Sequence, residues 1–520
     1  MTRRWRSGRR GVLSRAVGGC LAVGLCMGAS LGSGSVTPTV SVRPRVSAAP
    51  RVSVAPSGSQ TPSDSAALIA SRPNIILITT DDQSLTDMSV MRHVQARLEQ
   101  RGTTFSNAYS PYPLCCPARA TILTGQYAHN HHVLGNAAPY GGFTAFDDSN
   151  TLPLWLQEDG YRTAILGKYL NGYPTAGASD YVAPGWDTWR VPVNGIYNYH
   201  RWTLNEDGHQ VPYAGRYETN FIGDEASSLV EQYAPESRPY FLWAGFLAPH
   251  SGTPVETDDP RAVRTPNVSR RYRDTLAGTP VPDKASINEA DVSDKPLFVQ
   301  QSRIVRRSAL RELNQQRLES LRSVDDAVNK LLDAVKASGE LSNTVIIFTS
   351  DNGFLVGEHR RIGKDVGFQE ATRVPMVAAG PGFDTGQTRD QKVSLVDIAP
   401  TIAAVAQVSP GLVQDGLPLT TFAGDAQASD ARAILLQGGP NKQEPHRWYT
   451  GIQTNRYVYI EYTSTDEKEL YDLRTDPLQL DNLAVLSPGS AVEHKLADAL
   501  ANLRSCAGAD CLLGVRALSN

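Results

Sequence analysis

The chain has 520 residues, 41% hydrophobic and 20% charged, an ordinary globular composition with enough length for one large domain and a smaller one. Lysine and arginine number 50 against 53 aspartates and glutamates, leaving a net charge of −3. That balance excludes a protein that binds nucleic acid or an anionic membrane by overall charge, so any anion recognition must be local.

The first 32 residues, "MTRRWRSGRRGVLSRAVGGCLAVGLCMGASLG", read as a signal peptide. A basic front precedes an apolar run from Ala16 to Leu31 that is too short for a membrane span. Arg9-Arg10 before Gly11-Val12-Leu13 admits the twin-arginine route beside general secretion. The expected location is therefore outside the cell or in its envelope. Residues 33–70 are rich in Ser, Val, Pro and Thr without a helical or strand period, and read as a disordered linker. Cys20 and Cys26 would leave with the signal. Cys506 and Cys511, in "CAGADC", suit a short disulfide in an exported chain. Cys115 and Cys116 need another explanation, because adjacent cysteines bridge only with strain.

Four apolar runs read as buried strands: "NIILITT" (Asn74–Thr80), "TAILG" (Thr163–Gly167), "PYFLWAGFL" (Pro239–Leu247) and "TVIIFTS" (Thr344–Ser350). Helical patterns fall between them, at Met91–Gln100, Glu218–Tyr233 and Gln300–Ser338. Alternation of this kind predicts an α/β sandwich with a mostly parallel central sheet and helices on both faces. A catalytic domain is expected over residues 71–430. Beyond it "RYVYIEYTS" (Arg456–Ser464) alternates like an antiparallel strand and a helix is expected from Val492 to Leu503, so residues 431–520 read as a smaller antiparallel subdomain.

Each strand run leads into polar groups: Asp81-Asp82, Lys168, His250 and Asp351-Asn352. Ligands of open α/β sheets bind beyond the carboxyl ends of the strands. Turn-forming preference explains any one of these pairs, but four such ends together favour a site. Asp81, Asp82, Asp351 and Asn352 form an all-oxygen set that suits Ca²⁺ or Mg²⁺ rather than zinc. In "SPYPLCCPARATILTG", Pro117 suits a first helical turn and Gly125 a stop. Cys115 then lies at a helix N-terminus, which attracts anions, with Arg119 one turn on. A cation, a helix N-terminus and a divalent metal describe a pocket for an oxyanion ester. The nucleophile there is either the Cys115 thiol or a hydrated aldehyde derived from it.

"CCPAR", followed by Thr124-Gly125, resembles the Cys-x-Pro-Ser-Arg signature of the cysteine-type sulfatases. "NIILITTDDQ", "GKYLNGY", "APH", "TSDNGFLVGEHRRIGK", "ATRVP" and "ELYDLRTDPLQLDNLA" extend the resemblance in the family's order from Asn74 to Leu483. It implies an alkaline-phosphatase-like fold and hydrolysis of a sulfate monoester. It also implies a formylglycine made from Cys115 by a formylglycine-generating enzyme, with Cys116 in the variable position. Asp81, Asp82, Asp351 and Asn352, with modified Cys115, would hold one Ca²⁺, Mg²⁺ being the less favoured ion. Arg119 would stabilise the formylglycine. Lys168, His250 and Lys364 would contact the sulfate, with His250 or Lys364 protonating the leaving oxygen. Two departures stand out. Ala118 replaces the usual serine, and Tyr169-Leu170 replaces the usual Trp-His, so a histidine is missing there; Asn171, which follows at once, is a candidate for substrate binding. "GKYLNGY" and "HNHHV" look most like the N-acetylglucosamine-6-sulfatase and arylsulfatase branch, which points to a sulfated glycan or aryl sulfate as substrate.

His129, His131 and His132 are read as packing and hydrogen-bonding groups. Glu358 and His359 are read as supports of the metal pair, and Arg373 as a member of an internal ion pair. Aromatics between Tyr173 and Tyr217, among them Trp186, Trp189, Tyr197 and Tyr199, divide evenly between a substrate cleft and ordinary packing. His446 and Trp448 are candidates to close the pocket. Two rival functions remain. One is a phosphonate monoester or phosphodiester hydrolase of the same superfamily, disfavoured because Asn352 stands where histidine is expected. The other is a non-catalytic Ca²⁺-dependent binder of sulfated glycan. No nucleic acid and no stable membrane span are expected.

Overall fold

The computed structural model describes residues 72–512 except 176, 425–431 and 440–447. The signal, the linker and His446 lie outside the described residues. The chain opens with β1 (Asn74–Thr80), helix α1 (Arg92–Arg97) and β2 (Gly102–Tyr109). Helix α2 (Cys115–Thr124) follows, then β3 (Arg162–Gly167), β4 (Thr188–Asn194), β5 (Arg201–Glu206) and β6 (His209–Ala214). Next come α3 (Glu218–Tyr233), β7 (Tyr240–Gly245), α4 (Arg307–Ala337) and β8 (Thr344–Ser350). A two-residue pair, β9 (Leu355–Val356) and β10 (Ile362–Gly363), precedes β11 (Met376–Ala379), β12 (Gln387–Ser394) and α5 (Ile398–Ala406).

Ten of these strands form one sheet in the order β12-β2-β11-β8-β1-β7-β3-β4-β5-β6. β1 lies parallel between β7 and β8, and β7 parallel to β3. β11 is antiparallel to both of its neighbours, and β5 and β6 add an antiparallel margin. Every residue of β1 and β8 is buried, because both sheet faces are covered and there is no wet face to demand alternation. The pleat still sorts the side chains. Ile75 and Leu77 join one core with Ala118 and Ile122 of α2 and Ile398 and Ile402 of α5. Ile76 and Ile78 join another with Phe221 of α3 and Leu321 and Val328 of α4.

A second sheet holds β13 (Ile434–Gly438), β14 (Tyr449–Gln453), β15 (Tyr457–Tyr462) and β16 (Lys468–Asp472), all antiparallel. Helix α6 (Ala491–Leu503) packs Leu496, Leu500 and Leu503 against Leu435, Ile452 and Tyr459 of one face. Cys506 and Cys511 form the expected disulfide. The Cys506 carbonyl accepts from His129 at 2.8 Å and from Asn130 at 2.9 Å, fixing the disulfide loop after α6 to the segment just after α2.

The predicted long helix from Gln300 is in fact a short turn, Leu297–Gln300, and then α4 from Arg307. The intervening "QSRIVR" places Ile304 outward at 65% exposure, so the period fails there. α1 spans only six residues of the predicted Met91–Gln100, ending in a tighter 3₁₀ turn, Glu99–Arg101, before Gly102. Among the described residues no helix is long and apolar enough to cross a membrane.

Candidate active site

β8, β1, β7 and β3 are adjacent, so their carboxyl ends gather four separate stretches of sequence in one place. Asp81-Asp82 follow β1, Asp351-Asn352 follow β8, Lys168 follows β3, and His250 stands five residues beyond β7. Gly167 holds a φ of +85°, and a Cβ there would stand 2.2 Å from the Gly245 carbonyl oxygen. Only glycine lets β3 pass so close to β7 and turn Lys168 inward. Asp82 adopts a φ of +73°, sparsely populated for a residue with a side chain. Its N–H donates to Asp351 Oδ1 at 3.3 Å, tying the two aspartate turns together.

Helix α2 begins at Cys115, with Pro117 in its first turn and Gly125 closing it at a φ of +69°. All ten of its residues are buried. Cys115 Sγ lies 3.4 Å from Asp81 Oδ1 and accepts from Lys364 Nζ at 2.8 Å. One turn on, Arg119 donates to Asp351 Oδ2 at 2.8 Å and to the Lys168 carbonyl at 2.6 Å, and approaches Asp81 to 3.5 Å. Lys168 Nζ bonds Asp81, and Lys364 Nζ bonds Asp82. His250 Nε2 stands 3.8 Å from Asp82 Oδ2, while its Nδ1 is paired with the Ser251 carbonyl at 2.7 Å.

Oxygens of Asp81, Asp82 and Asp351 all lie within 4.8 Å of one another. Asn352 donates to Asp82 Oδ1 at 2.7 Å, yet its own Oδ1 is buried without a partner. An orphaned carbonyl oxygen beside three converging carboxylates fits a hard divalent cation, which takes oxygen ligands of both kinds.

Charge is nearly matched inside this pocket, and the protonation states follow. Burial works against ionisation of Asp81, but Lys168, His250, Lys364 and Arg119 outweigh it and hold the carboxyl well below its usual range. Burial, then the Asp81 charge, pushes Asp351 up to about 6 despite Arg119. Burial and Asp81 likewise push the Cys115 thiol up to about 12, so it stands as a neutral thiol. Burial lowers His250, with Asp82 and Asp81 opposing. Burial works against the charge on Lys364, but the neighbouring carboxylates, Asp82 foremost, hold it well above its ordinary value.

Asn171 lies at the rim. Its Nδ2 donates to the Tyr197 hydroxyl at 2.8 Å, and its Oδ1 is buried without a partner. Of the aromatics read as cleft or packing, Trp186, Trp189 and Tyr199 are buried in the cores, and Tyr197 lies over Lys168 and His250. His131 bonds Thr121 at 3.0 Å within the fold, and Glu358 and His359 bond Lys284 and Glu289 away from the pocket. Arg373 donates to the Ser106 carbonyl at 2.6 Å and approaches the Asn107 amide at 3.4 Å, tying β2 to the segment before β11 where an ion pair was expected. Trp448 packs edge-on against Tyr140. Sequence reasoning missed Arg317, which donates to the Asp82 carbonyl at 2.6 Å and to Asp87 at 2.8 Å, holding the strained turn. Its position about a third of the way along a 31-residue helix gave no local signal.

Three cations and an imidazole converge on one pocket around the buried Cys115 and a carboxylate cage. That is equipment for holding an oxyanion ester and stabilising the charge that builds on it during cleavage, and it defines a hydrolase of such esters. Residues 73–408 match the sulfatase family model, and residues 357–506 match that of the C-terminal region of N-sulphoglucosamine sulphohydrolase. The chain belongs to the sulfatase family and is a sulfuric ester hydrolase, as its curated relatives are. It is similar to an arylsulfatase of Volvox carteri, 30% identical over 86% of this chain and 77% of that one. It is also similar to N-acetylglucosamine-6-sulfatase of Homo sapiens, 29% identical over 85% of this chain and 86% of that one. In fold it matches a protein solved in complex with its substrate D-glucosamine-2-N,6-O-disulfate, with a TM-score of 0.71 and 22% identity over 83% of this chain and 97% of that one. The alkaline-phosphatase-like architecture is thus that of the family.

Proposed function

We propose that this protein is an exported sulfatase that hydrolyses a sulfate monoester on a glycan, using a formylglycine derived from Cys115. The observation that carries the reading is the position of Cys115, at the start of a fully buried helix between Asp81 and Lys364. A thiol pushed up to about 12 is a poor nucleophile as it stands, whereas an aldehyde hydrate there offers one hydroxyl to attack and a second to release the product. Asp81, Asp82, Asp351 and Asn352, with the modified Cys115, would hold Ca²⁺, which when bound polarises the sulfuryl oxygens. Lys168 and Lys364 pair with the same carboxylates and orient their ammonium groups to the sulfate. Arg119 fixes Asp351 and the modified residue from below. His250 or Lys364 delivers a proton to the leaving oxygen, and Asn171 binds the alcohol side.

The glycan preference rests on the similarity to N-acetylglucosamine-6-sulfatase and on "GKYLNGY". Export rests on the basic and apolar opening of the chain, and residues 71–430 and 431–520 serve as catalytic domain and C-terminal subdomain. A phosphodiester preference is disfavoured by Asn352. Mass spectrometry of the tryptic peptide Gly102–Arg119 from protein made in its native host tests the reading. The expected peptide has lost the elements of H₂S and gained oxygen at Cys115, and the protein releases sulfate from N-acetylglucosamine-6-sulfate in preference to cleaving an aryl phosphodiester. An unmodified thiol, or a preference for the diester, would overturn it.

A further inference from the structure

Tyr197 lies between β4 and β5, outside every motif quoted above, yet its ring meets three of the candidate substrate-binding side chains. Its face stacks on the His250 imidazole with centroids 4.7 Å apart and planes inclined by 23°. The Lys168 ammonium stands 5.1 Å from the ring centre. The phenol oxygen accepts from Asn171.

Its backbone is held as firmly. The Tyr197 carbonyl accepts from the Thr253 N–H at 2.7 Å, and the Thr253 carbonyl accepts from the Tyr199 N–H at 2.8 Å. The Tyr199 hydroxyl donates to the His250 carbonyl at 2.7 Å. A Cβ on Gly252 would stand 2.7 Å from the Tyr197 carbonyl, so the strap carrying His250 is pressed against this segment. Residues 197–199 thus grip that strap through main chain and side chains together.

We infer that Tyr197 is a positioning residue that sets the plane of the His250 ring and the turn of the Asn171 amide, and so selects esters whose alcohol carries a hydrogen-bond donor beside the sulfate. This rests on the sulfate-ester reading. Without the stack, the imidazole keeps only its Nδ1 bond to Ser251 and is free to rotate away from Asp82. Without the phenol, the Asn171 amide loses its anchor. With the phenol in place, Asn171 Oδ1 is a buried acceptor that no protein group satisfies, at the rim of a pocket whose cations are paired with its carboxylates. A hydroxyl or amide N–H of a sugar completes it, and a simple aryl sulfate leaves it unmet.

The test compares Tyr197→Leu and Tyr197→Phe in the full chain, on N-acetylglucosamine-6-sulfate and 4-nitrophenyl sulfate. Loss of the ring should lower kcat on both esters by about 10- to 100-fold. The Phe variant keeps the stack and should restore most of that kcat, while raising KM for the sugar ester about 10-fold more than for the aryl ester. A Leu variant whose kcat stays within about twofold of wild type, or a Phe variant that affects both esters alike, would overturn the inference. Should the Leu variant fail to fold, the KM split in the Phe variant decides. Calorimetry with inorganic sulfate gives the same answer without turnover. Weaker binding to Tyr197→Leu upholds the positioning role, and unchanged affinity refutes it, even in a protein that proves not to cleave sulfate esters.

Discussion

Two of the buried charge clusters among the described residues are built differently. In the pocket, Asp81, Asp82 and Asp351 meet Arg119, Lys168 and Lys364, and the Asn352 carbonyl oxygen is left over. In the other, Lys295 is fully buried between Glu289, Asp294 and the Leu480 carbonyl. His359 bonds Glu289 at 2.6 Å and stacks on Phe368, and Glu469 accepts from Tyr462 and Tyr471. The second cluster joins the stretch before α4 and the loop after β8 to β16, and its carboxylates are answered by neighbouring donors. Buried charge therefore does not by itself mark a site. The pocket differs by standing at the carboxyl ends of four adjacent strands, with a strained turn, an unmet oxygen and a potential nucleophile at its centre.

Replacing the central group should separate the clusters most sharply. Cys115→Ala is expected to cut kcat on the order of 10⁶-fold while the protein melts near the wild-type temperature. Sulfate release above background would break the assignment. Lys295→Met does the converse. Leaving Glu289 and Asp294 without their buried cation should cost about 3–5 kcal/mol in chemical denaturation, with kcat of the folded protein unchanged. A chelator should act only on the pocket, abolishing turnover and lowering stability by about 3 kcal/mol relative to a Ca²⁺ excess of ~100 times Kd, both restored by Ca²⁺. An enzyme indifferent to chelation would remove the metal from the account.

The smallest effect is expected at Glu319, a buried carboxylate answered by the backbone N–H groups of Leu276 and Asp274 rather than by a cation. Burial pushes it from 4.5 up to about 7. The folded chain then holds a proton that the unfolded chain releases, so stability falls as pH rises from 4.5 through 7. Glu319→Gln should flatten that slope and stabilise the protein by about 1–2 kcal/mol at pH 8, with no gain at pH 4.5. Thermal melts across that range check it, and parallel curves would show that Glu319 does not titrate there.

The central strands were legible because burial on both faces leaves unbroken apolar runs, and β1 and β8 match "NIILITT" and "TVIIFTS" residue for residue. The polar residues beyond those runs were legible for the same reason, since each follows its strand at short range. β2 and β12 were not, because "GTTFSNAY" and "QTRDQKVS" are polar and owe their strand state to their neighbours in the sheet, and β11 is a four-residue apolar run too short to stand out. Arg119 was legible from helical spacing one turn after Cys115, whereas Lys364 and Asn171 were reached only through motif resemblance. Arg317 and the grip of Tyr197 on His250 depend on contacts across long stretches of chain, for which one sequence carries no signal.

The order in which the pocket is completed has a consequence in time. Cys115 leaves the ribosome early, but the groups that enclose it come late: Asp351 follows Arg119 by 232 residues, and Lys364 follows Cys115 by 249. At roughly 5–20 residues per second, the thiol emerges ~10–50 s before the last of its cage is synthesised. An enzyme that must reach Cys115 in extended chain has that interval, and slowing translation between Arg119 and Lys364 would lengthen it.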